Sequence, residues 1–478
     1  MFTKILIANR GEIAVRIINE CKELGIKTVA ICSDPERGAL HMRLADEGYC
    51  IGAAALKDSY MNIGAIVNAA LATKSDVIHP GYGLLSENHE FAKSCERHNI
   101  SFIGPVSDIL AQVSDKTNAK KIAVALRIPV LTGYLAENID DTLLWAHEIG
   151  YPVMIKTSNG GGGAGMKPVY SDDELKAALI VLQTSKNKKL FIEKYIEKAR
   201  HIEIQVIADN SGNIVTAGSR ECSIQMNYKK VLEECPAQNI SAELLENLYS
   251  DSVKLAKAVN YTGICTVEFI IDEAENYYFM EMNARIQVEH GITEMITGLN
   301  LVQWQIRIAC GEKIPFGQDG LKLSGHALEC RINAHSCGRI AGWRLDNGEA
   351  RFDHALTDSM TMMPYYDSMI GKLISYGRTR SDAVNKMKTY LHGLHITGIE
   401  TNIELHKNIM DNESFTDGVY YTSFLNTLGE RPVKVNRISD FSNLTENVHS
   451  SDRKPLKMSW LRNSIETLFK NKGLYKEA

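Results

Sequence analysis

Residues 265–289 read CTVEFIIDEAENYYFMEMNARIQVE. Two runs rich in β-branched and aromatic residues flank the polar DEAEN, which predicts a hairpin with DEAEN as its turn. Glu268 falls on the first strand, and Glu281 and Asn283 on the second. Side chains alternate faces along a strand, so Glu281, Asn283, Arg285, Gln287 and Glu289 share one face for as long as the chain stays extended. Met280, Met282, Ile286 and Val288 then pack beneath. Two carboxylates and an amide offer hard oxygen ligands, suited to a magnesium ion bridging nucleotide phosphates. Arg285 and Gln287 supply donors for a small anion, and Glu289 a possible base. A salt-bridged polar sheet face is the other reading of the same spacing.

About a hundred residues upstream, the apolar YPVMI leads into KTSNGGGGAGM, residues 156–166. So many glycines cost backbone entropy and leave main-chain N–H groups unobstructed, which suits closure over phosphates; a plain flexible turn has the same composition. Lys156 before the run and Lys116 in SDKTNAKK are candidate phosphate cations.

The 478 residues suffice for two to four domains. Net charge is −5, so no global field draws nucleic acid. No apolar run approaches the roughly eighteen residues that a membrane helix needs. The ten cysteines form no C-x-x-C and no disulfide framework, and a reducing cytoplasm is the expected location. Cys330, His335 and Cys337 lack an evident fourth ligand for zinc and are read as incidental.

KILIA, GEIAVRIINECKELG and KTVAIC read as strand, helix and strand, and similar alternation through DVIHPGYG and SFIGP gives an N-terminal α/β layer over 1–113. The first turn, ANRGE, is not G-x-G-x-x-G, so NAD binding is poorly supported. Residues 114–329 are mixed, with strands in VMIKT, LFIEKYI, HIEIQVIAD and NIVTAG. Residues 330–430 carry the strands LECRIN and MIGKLISYG and a helix in SDAVNKMKTYLHGL. The tail, 431–478, holds ten Lys or Arg against five Asp or Glu and reads as a docked or loosely ordered terminus, with a partner-docking helix as the alternative.

KILIANRGEIAVRI, IHPGYGLLSEN, RHIEIQV, EMNARIQVEHGITEMITG, ECRINA and PYYDSMIGKLI, in that order, resemble the biotin carboxylase family of the ATP-grasp superfamily over about residues 1–430. The resemblance implies a Rossmann-like α/β domain, an ATP-grasp core with a glycine-rich lid at about 131–203, and a mixed C-terminal domain. It implies a ligase that uses ATP, Mg²⁺ (or Mn²⁺) and bicarbonate to carboxylate biotin through carboxyphosphate. By the same resemblance, Lys116, Lys156, Gly161, Gly162, Gly163, His201 and Gln225 fall on nucleotide-binding positions, and Glu193, Lys194 and Ile196 where the adenine end is held. Glu268, Glu281 and Asn283 match the metal set. Lys230, Arg285, Gln287 and the Val288 backbone match the bicarbonate pocket, and Glu289 the base. Arg331 matches the residue stabilising biotin's enolate-like state, and Tyr82 is placed near biotin. No A-M-K-M-like motif occurs, so the implied partners are a separate biotin carboxyl carrier protein and a carboxyltransferase subunit, with a possible homodimer and no nucleic acid or membrane.

The sequence departs from the family pattern in three places. In the lid Asn159 replaces a glycine and Ala164 an arginine; in SIQMNYKKV Met226 and Asn227 replace arginines and Tyr228 a histidine; and the 335–363 connection is shorter, without the usual acidic dipeptide. These changes keep two alternatives in view: an ATP-grasp ligase with another small-molecule acceptor, and a non-catalytic nucleotide-binding subunit.

Overall fold

The computed structural model describes residues 1–136, 138–157, 166–183, 190–346, 348–357 and 360–428. Gly161, Gly162, Gly163, Asn159, Ala164 and the 431–478 tail lie outside the described residues. Five strands come first: β1 (Lys4–Ile7), β2 (Lys27–Ser33), β3 (Glu47–Gly52), β4 (Val77–His79) and β5 (Ser101–Phe102). They pair in parallel in the order β3-β2-β1-β4-β5. The helix Gly11–Glu23 buries Ile13, Ala14, Ile17, Ile18 and Cys21, the apolar face its sequence spells out, in one core with Ile5 and Ile7.

The chain winds outward from β1 to β3, then returns to the far side of β1 to begin β4. In open α/β sheets the crevice at such a reversal, beyond the carboxyl ends of the strands, is the natural ligand site. Asn9 and residues 80–82 border it here: Asn9 Nδ2 donates to the carbonyls of Pro80 (2.7 Å) and Tyr82 (2.8 Å). Gly81 has φ +64°, and a Cβ there would stand 2.9 Å from Asn9 Nδ2, so glycine keeps this loop close to β1.

β6 (Gly133–Ala136), β7 (Val153–Thr157), β8 (Lys167–Val169) and β9 (Leu190–Lys194) form an antiparallel sheet ordered β6-β9-β7-β8. Its core is small, built on Val153, Ile155, Val169, Leu175, Leu179 and Ile192. β7 leads into the glycine run and β9 carries Glu193 and Lys194.

The remaining strands are β10 (Arg200–Ala208), β11 (Ile214–Met226), β12 (Lys229–Cys235), β13 (Gly263–Ile271), β14 (Tyr277–Asn283), β15 (His326–Asn333), β16 (Gly338–Arg339), β17 (Gly342–Leu345), β18 (Arg351–His354), β19 (Thr361–Met362), β20 (Met369–Gly377) and β21 (Leu394–Thr397). Eight of them make one antiparallel sheet, β14-β13-β10-β11-β12-β15-β20-β18. β15 runs through position 329/330, so this sheet continues across the domain boundary expected there. The 335–363 connection supplies β16 to β19, of which β18 closes the edge of the large sheet.

Alternation along these strands creates the site. Ile202, Ile204, Val206, Val267, Phe269 and Met282 enter one core, and Leu328, Cys330, Ile332 and Leu373 another. Burying each such side chain fully stabilises the fold by roughly 1.5–3 kcal/mol. Their opposite-parity neighbours His201, Glu203, Glu268, Glu281, Arg331 and Lys372 are thereby committed to the other, polar face.

Candidate active site

β13 and β14 form the predicted hairpin, with Glu268 directly opposite Glu281. Asp272 Oδ1 accepts from the main-chain N–H groups of Ala274 and Asn276, both at 2.9 Å, closing the DEAEN turn. Asn283 Nδ2 lies between the two carboxylates, 2.8 Å from Glu268 Oε1 and 3.2 Å from Glu281 Oε1. Lys116 Nζ pairs with Glu281 at 2.7 Å.

The extended face ends earlier than the alternation predicts. β14 stops at Asn283, and 284–289 bends away before the helix His290–Thr297, with Glu289 as its N-cap. Glu87 holds the start of the bend, its carboxylate accepting from the Ala284 N–H (3.2 Å) and from Arg285 Nε (2.9 Å). The bend still returns Gln287 and Glu289 to the cluster: Gln287 Nε2 donates to Glu268 Oε1 at 2.8 Å. Arg285 bridges Asn283 Oδ1 (2.9 Å) and Gln287 Oε1 (3.3 Å).

Lys230 and Glu289 occupy the centre. Lys230 Nζ lies 2.8 Å from Glu289 Oε1 and 3.2 Å from Glu268 Oε1, and also pairs with Glu203. Arg331 reaches the other side, with Nη2 2.9 Å from Glu289 Oε2 and Nε 2.6 Å from Glu233 Oε1. Burial alone raises the pKa of Glu289, but Lys230, Arg331 and Arg220 outweigh it and hold the carboxyl well below the usual range. Glu268 is likewise held down, burial being overcome by Lys230 and His201. His201 Nε2 is 2.9 Å from Glu268 Oε2, and its Nδ1 accepts from Gln225 Nε2 at 2.8 Å, so both predicted residues join the cluster.

The candidate adenine-end residues sit on the four-stranded sheet instead. Glu193 pairs with Lys156 (2.6 Å) and with Lys120; burial raises its pKa, but the two lysines bring it down to about 2. Lys194 Nζ donates to the carbonyl of Gly150 at 2.8 Å, and Ile196 is half-buried just past β9. Tyr82 donates its hydroxyl to Glu12, and the Val288 carbonyl accepts from Lys372 at 2.7 Å.

Several site residues escape a reading of the sequence. Glu203 stands two residues beyond His201, so its placement on the same face was available from strand period. With His201 and Glu268 it brings one donor atom each within 4.8 Å of one another. Lys120 is four residues past Lys116 on the helix Lys116–Ala125, a spacing that also signals a shared face. Glu87, Glu233 and Lys372 carry no local signal, because their partners lie on distant strands. Hard carboxylate oxygens at Glu268 and Glu281, beside an amide, suit a magnesium ion.

Among the described residues no helix is long and apolar enough to cross a membrane, and all ten cysteines are free. A parallel α/β layer, a small sheet leading into a glycine run and a wide antiparallel sheet with an ionic face together define an ATP-grasp ligase. More narrowly, the chain belongs to the biotin carboxylase family. Residues 1–110 match the biotin carboxylase N-terminal domain, 115–316 the ATP-binding domain of the carbamoyl-phosphate synthase L chain, and 329–427 the biotin carboxylase C-terminal domain. The chain is 46% identical to biotin carboxylase 1 of Bacillus subtilis, over 89% of this chain and 99% of that protein. The biotin carboxylase domain dimer of Hydrogenobacter thermophilus 2-oxoglutarate carboxylase, solved with MgADP, ADP and bicarbonate, superposes with a TM-score of 0.86 at 41% identity, covering 89% of this chain and 98% of that one. A biotin carboxylase–β-γ-ATP complex from Campylobacter jejuni also gives 0.86, at 38% identity over 89% and 99%.

Proposed function

We propose that this chain uses ATP and bicarbonate to carboxylate biotin borne on a separate carrier protein, through carboxyphosphate. The carrying observation is Glu289, gripped by Lys230 on one oxygen and Arg331 on the other. Family membership supports the reaction class, and that grip supports the roles.

Phosphoryl transfer to bicarbonate needs positioning and charge neutralisation more than covalent help. Lys116, Lys156, His201 and Gln225 bind the nucleotide, with Gly161, Gly162 and Gly163 closing over its phosphates and Glu193, Lys194 and Ile196 at the adenine end. Glu268, Glu281 and Asn283 would hold magnesium, which supplies charge neutralisation across the phosphates. Lys230, Arg285, Gln287 and the Val288 backbone hold bicarbonate against Glu289, which takes its proton. A bicarbonate anion settling on Lys230 offsets part of the positive field that depresses Glu289, so the base strengthens when its substrate arrives. Carboxyphosphate breaks down to carbon dioxide and phosphate, and the phosphate takes the proton of the biotin ureido nitrogen. Arg331 stabilises the negative charge that builds on the ureido oxygen, and Tyr82 lines that end.

The proposed domain division is 1–113, 114–329 and 330–430 followed by the basic tail; the carrier and a carboxyltransferase are the proposed partners, with a homodimer on the precedent of the Hydrogenobacter domain. The ten free cysteines support a reducing, cytoplasmic location. The test is ATP hydrolysis by the purified chain with Mg²⁺, varying bicarbonate and free biotin independently. Turnover that needs both supports biotin carboxylation. Bicarbonate-dependent turnover without carboxybiotin points to another acceptor, and nucleotide binding without turnover to a non-catalytic role.

A further inference from the structure

Lys372, in the middle of β20, is fully buried at 0% exposure. Its Cα partners are Arg331 on β15 and Asp353 on β18. Residues directly opposite in an antiparallel ladder share a face, so Lys372 and Arg331 leave the sheet side by side. They reach the same turn by different routes. Arg331 Nη2 holds the Glu289 side chain at 2.9 Å, and Lys372 Nζ holds the Val288 main-chain carbonyl at 2.7 Å. On its other side the ammonium lies 3.4 Å from Glu12 Oε1, the carboxylate that accepts the Tyr82 hydroxyl, and 6.0 Å from the Tyr82 ring centroid.

A buried ammonium costs several kcal/mol unless it is paired. Burial lowers the Lys372 pKa, but Glu12, Glu329 and Asp353 outweigh it and keep the group charged. Those carboxylates account for the charge, but they leave open why the nitrogen also grips the carbonyl beside Glu289. A compact ammonium with three donors can serve a carbonyl and two carboxylates at once.

We propose that Lys372 is a positioning residue that ties the 288–289 turn to the Glu12–Tyr82 pair, so that the bicarbonate end and the biotin end of the site keep a fixed separation. The inference rests on the biotin carboxylase reading above. Without the tie, ATP cleavage continues but hands its product to biotin poorly.

The experiment compares the full wild-type chain with Lys372→Met and with Glu12→Gln/Lys372→Met. The double variant leaves no stranded Glu12 charge and stands in if the single one fails to fold. Three quantities are measured: KM for bicarbonate and for MgATP, ATP hydrolysed per carboxybiotin formed, and amide hydrogen exchange over 285–291. The expected result is a rise of about tenfold in bicarbonate KM, the scale of one lost charged hydrogen bond, with MgATP KM unchanged. More ATP is consumed per carboxybiotin, and exchange over 285–291 quickens. Substrate KM values that move together, or exchange over 285–291 equal to wild type, overturn the inference and leave Lys372 as a neutraliser of buried acids. A wild-type chain with no bicarbonate-dependent turnover overturns the reaction assignment instead, while hydrogen exchange still decides the tie.

Discussion

Lys230 Nζ stands 2.8 Å from Glu289 Oε1, on a strand that the chain reaches almost sixty residues earlier. Burial raises the Glu289 pKa, and Lys230, with Arg331 and Arg220, outweighs it and holds the carboxyl well below the usual range. A carboxylate kept ionised beside a cation that also attracts an anionic substrate can accept that substrate's proton.

Glu289→Ala is therefore expected to lower bicarbonate-dependent ATP cleavage by at least about a hundredfold, the low end for general-base catalysis. Nucleotide affinity, measured by titration calorimetry, stays near wild type. Unchanged turnover removes Glu289 from the mechanism.

Arg220 is wholly buried and donates to Glu203, Gln205, Thr266 and Thr293. Arg220→Leu leaves Glu203 with Lys230 alone on its other oxygen and takes the shared donor from Gln205, Thr266 and Thr293, with an expected loss of about 3–5 kcal/mol, as for breaking a buried ion pair. Urea unfolding reads it as a lower midpoint; a midpoint matching wild type contradicts the account.

Asn227 (φ 51°) and Tyr228 (φ 63°) form the two-residue turn between β11 and β12, closed by the Met226–Lys229 pair. By the resemblance, Tyr228 falls where the family pattern has a histidine, and Ala164 where it has an arginine. Ala164→Arg with Tyr228→His should tighten MgATP binding, by about tenfold if each adds one phosphate contact of modest strength. No change in nucleotide affinity means that these positions do not face phosphate.

Glu234 lies outside the Lys230–Glu289 cluster and is paired with His326 (2.6 Å), Arg380 (2.7 Å) and Tyr420. Burial raises its pKa, but the His326 hydrogen bond and Arg380 bring it from the ordinary 4.5 down to about 2. A depressed carboxylate contributes stability in full above about 4.5, and that contribution is lost as pH falls toward about 2. Glu234→Gln should thus be less stable than wild type at neutral pH, by about 3 kcal/mol on the 1.36 kcal/mol-per-unit scale. The gap should close across that acid window in thermal unfolding followed by circular dichroism; a gap independent of pH rules out the assignment.

Strand period was the most informative local signal. It put Glu268, Glu281 and Asn283 together on one hairpin face, and the structure pairs them through one amide. The same rule holds only while the chain stays extended, and the strand ends at Asn283. The groups that hold the start of the bend there are not local: Glu87, almost two hundred residues away, binds the Ala284 N–H and Arg285.

The apolar periodicity of β1, its helix and β2 determined the N-terminal layer from sequence alone, since burying those faces is the dominant local drive. Composition and spacing likewise singled out the chemistry-bearing residues of 268–289. Tertiary structure alone decided which groups pair: Lys230 with Glu289, Arg331 with Glu233, and Lys372 with Glu12 and the Val288 carbonyl. A charge's partner depends on which strands become neighbours, and sheet order is a property of the whole chain. Period places a side chain on a face; only the closed sheet determines what it meets there.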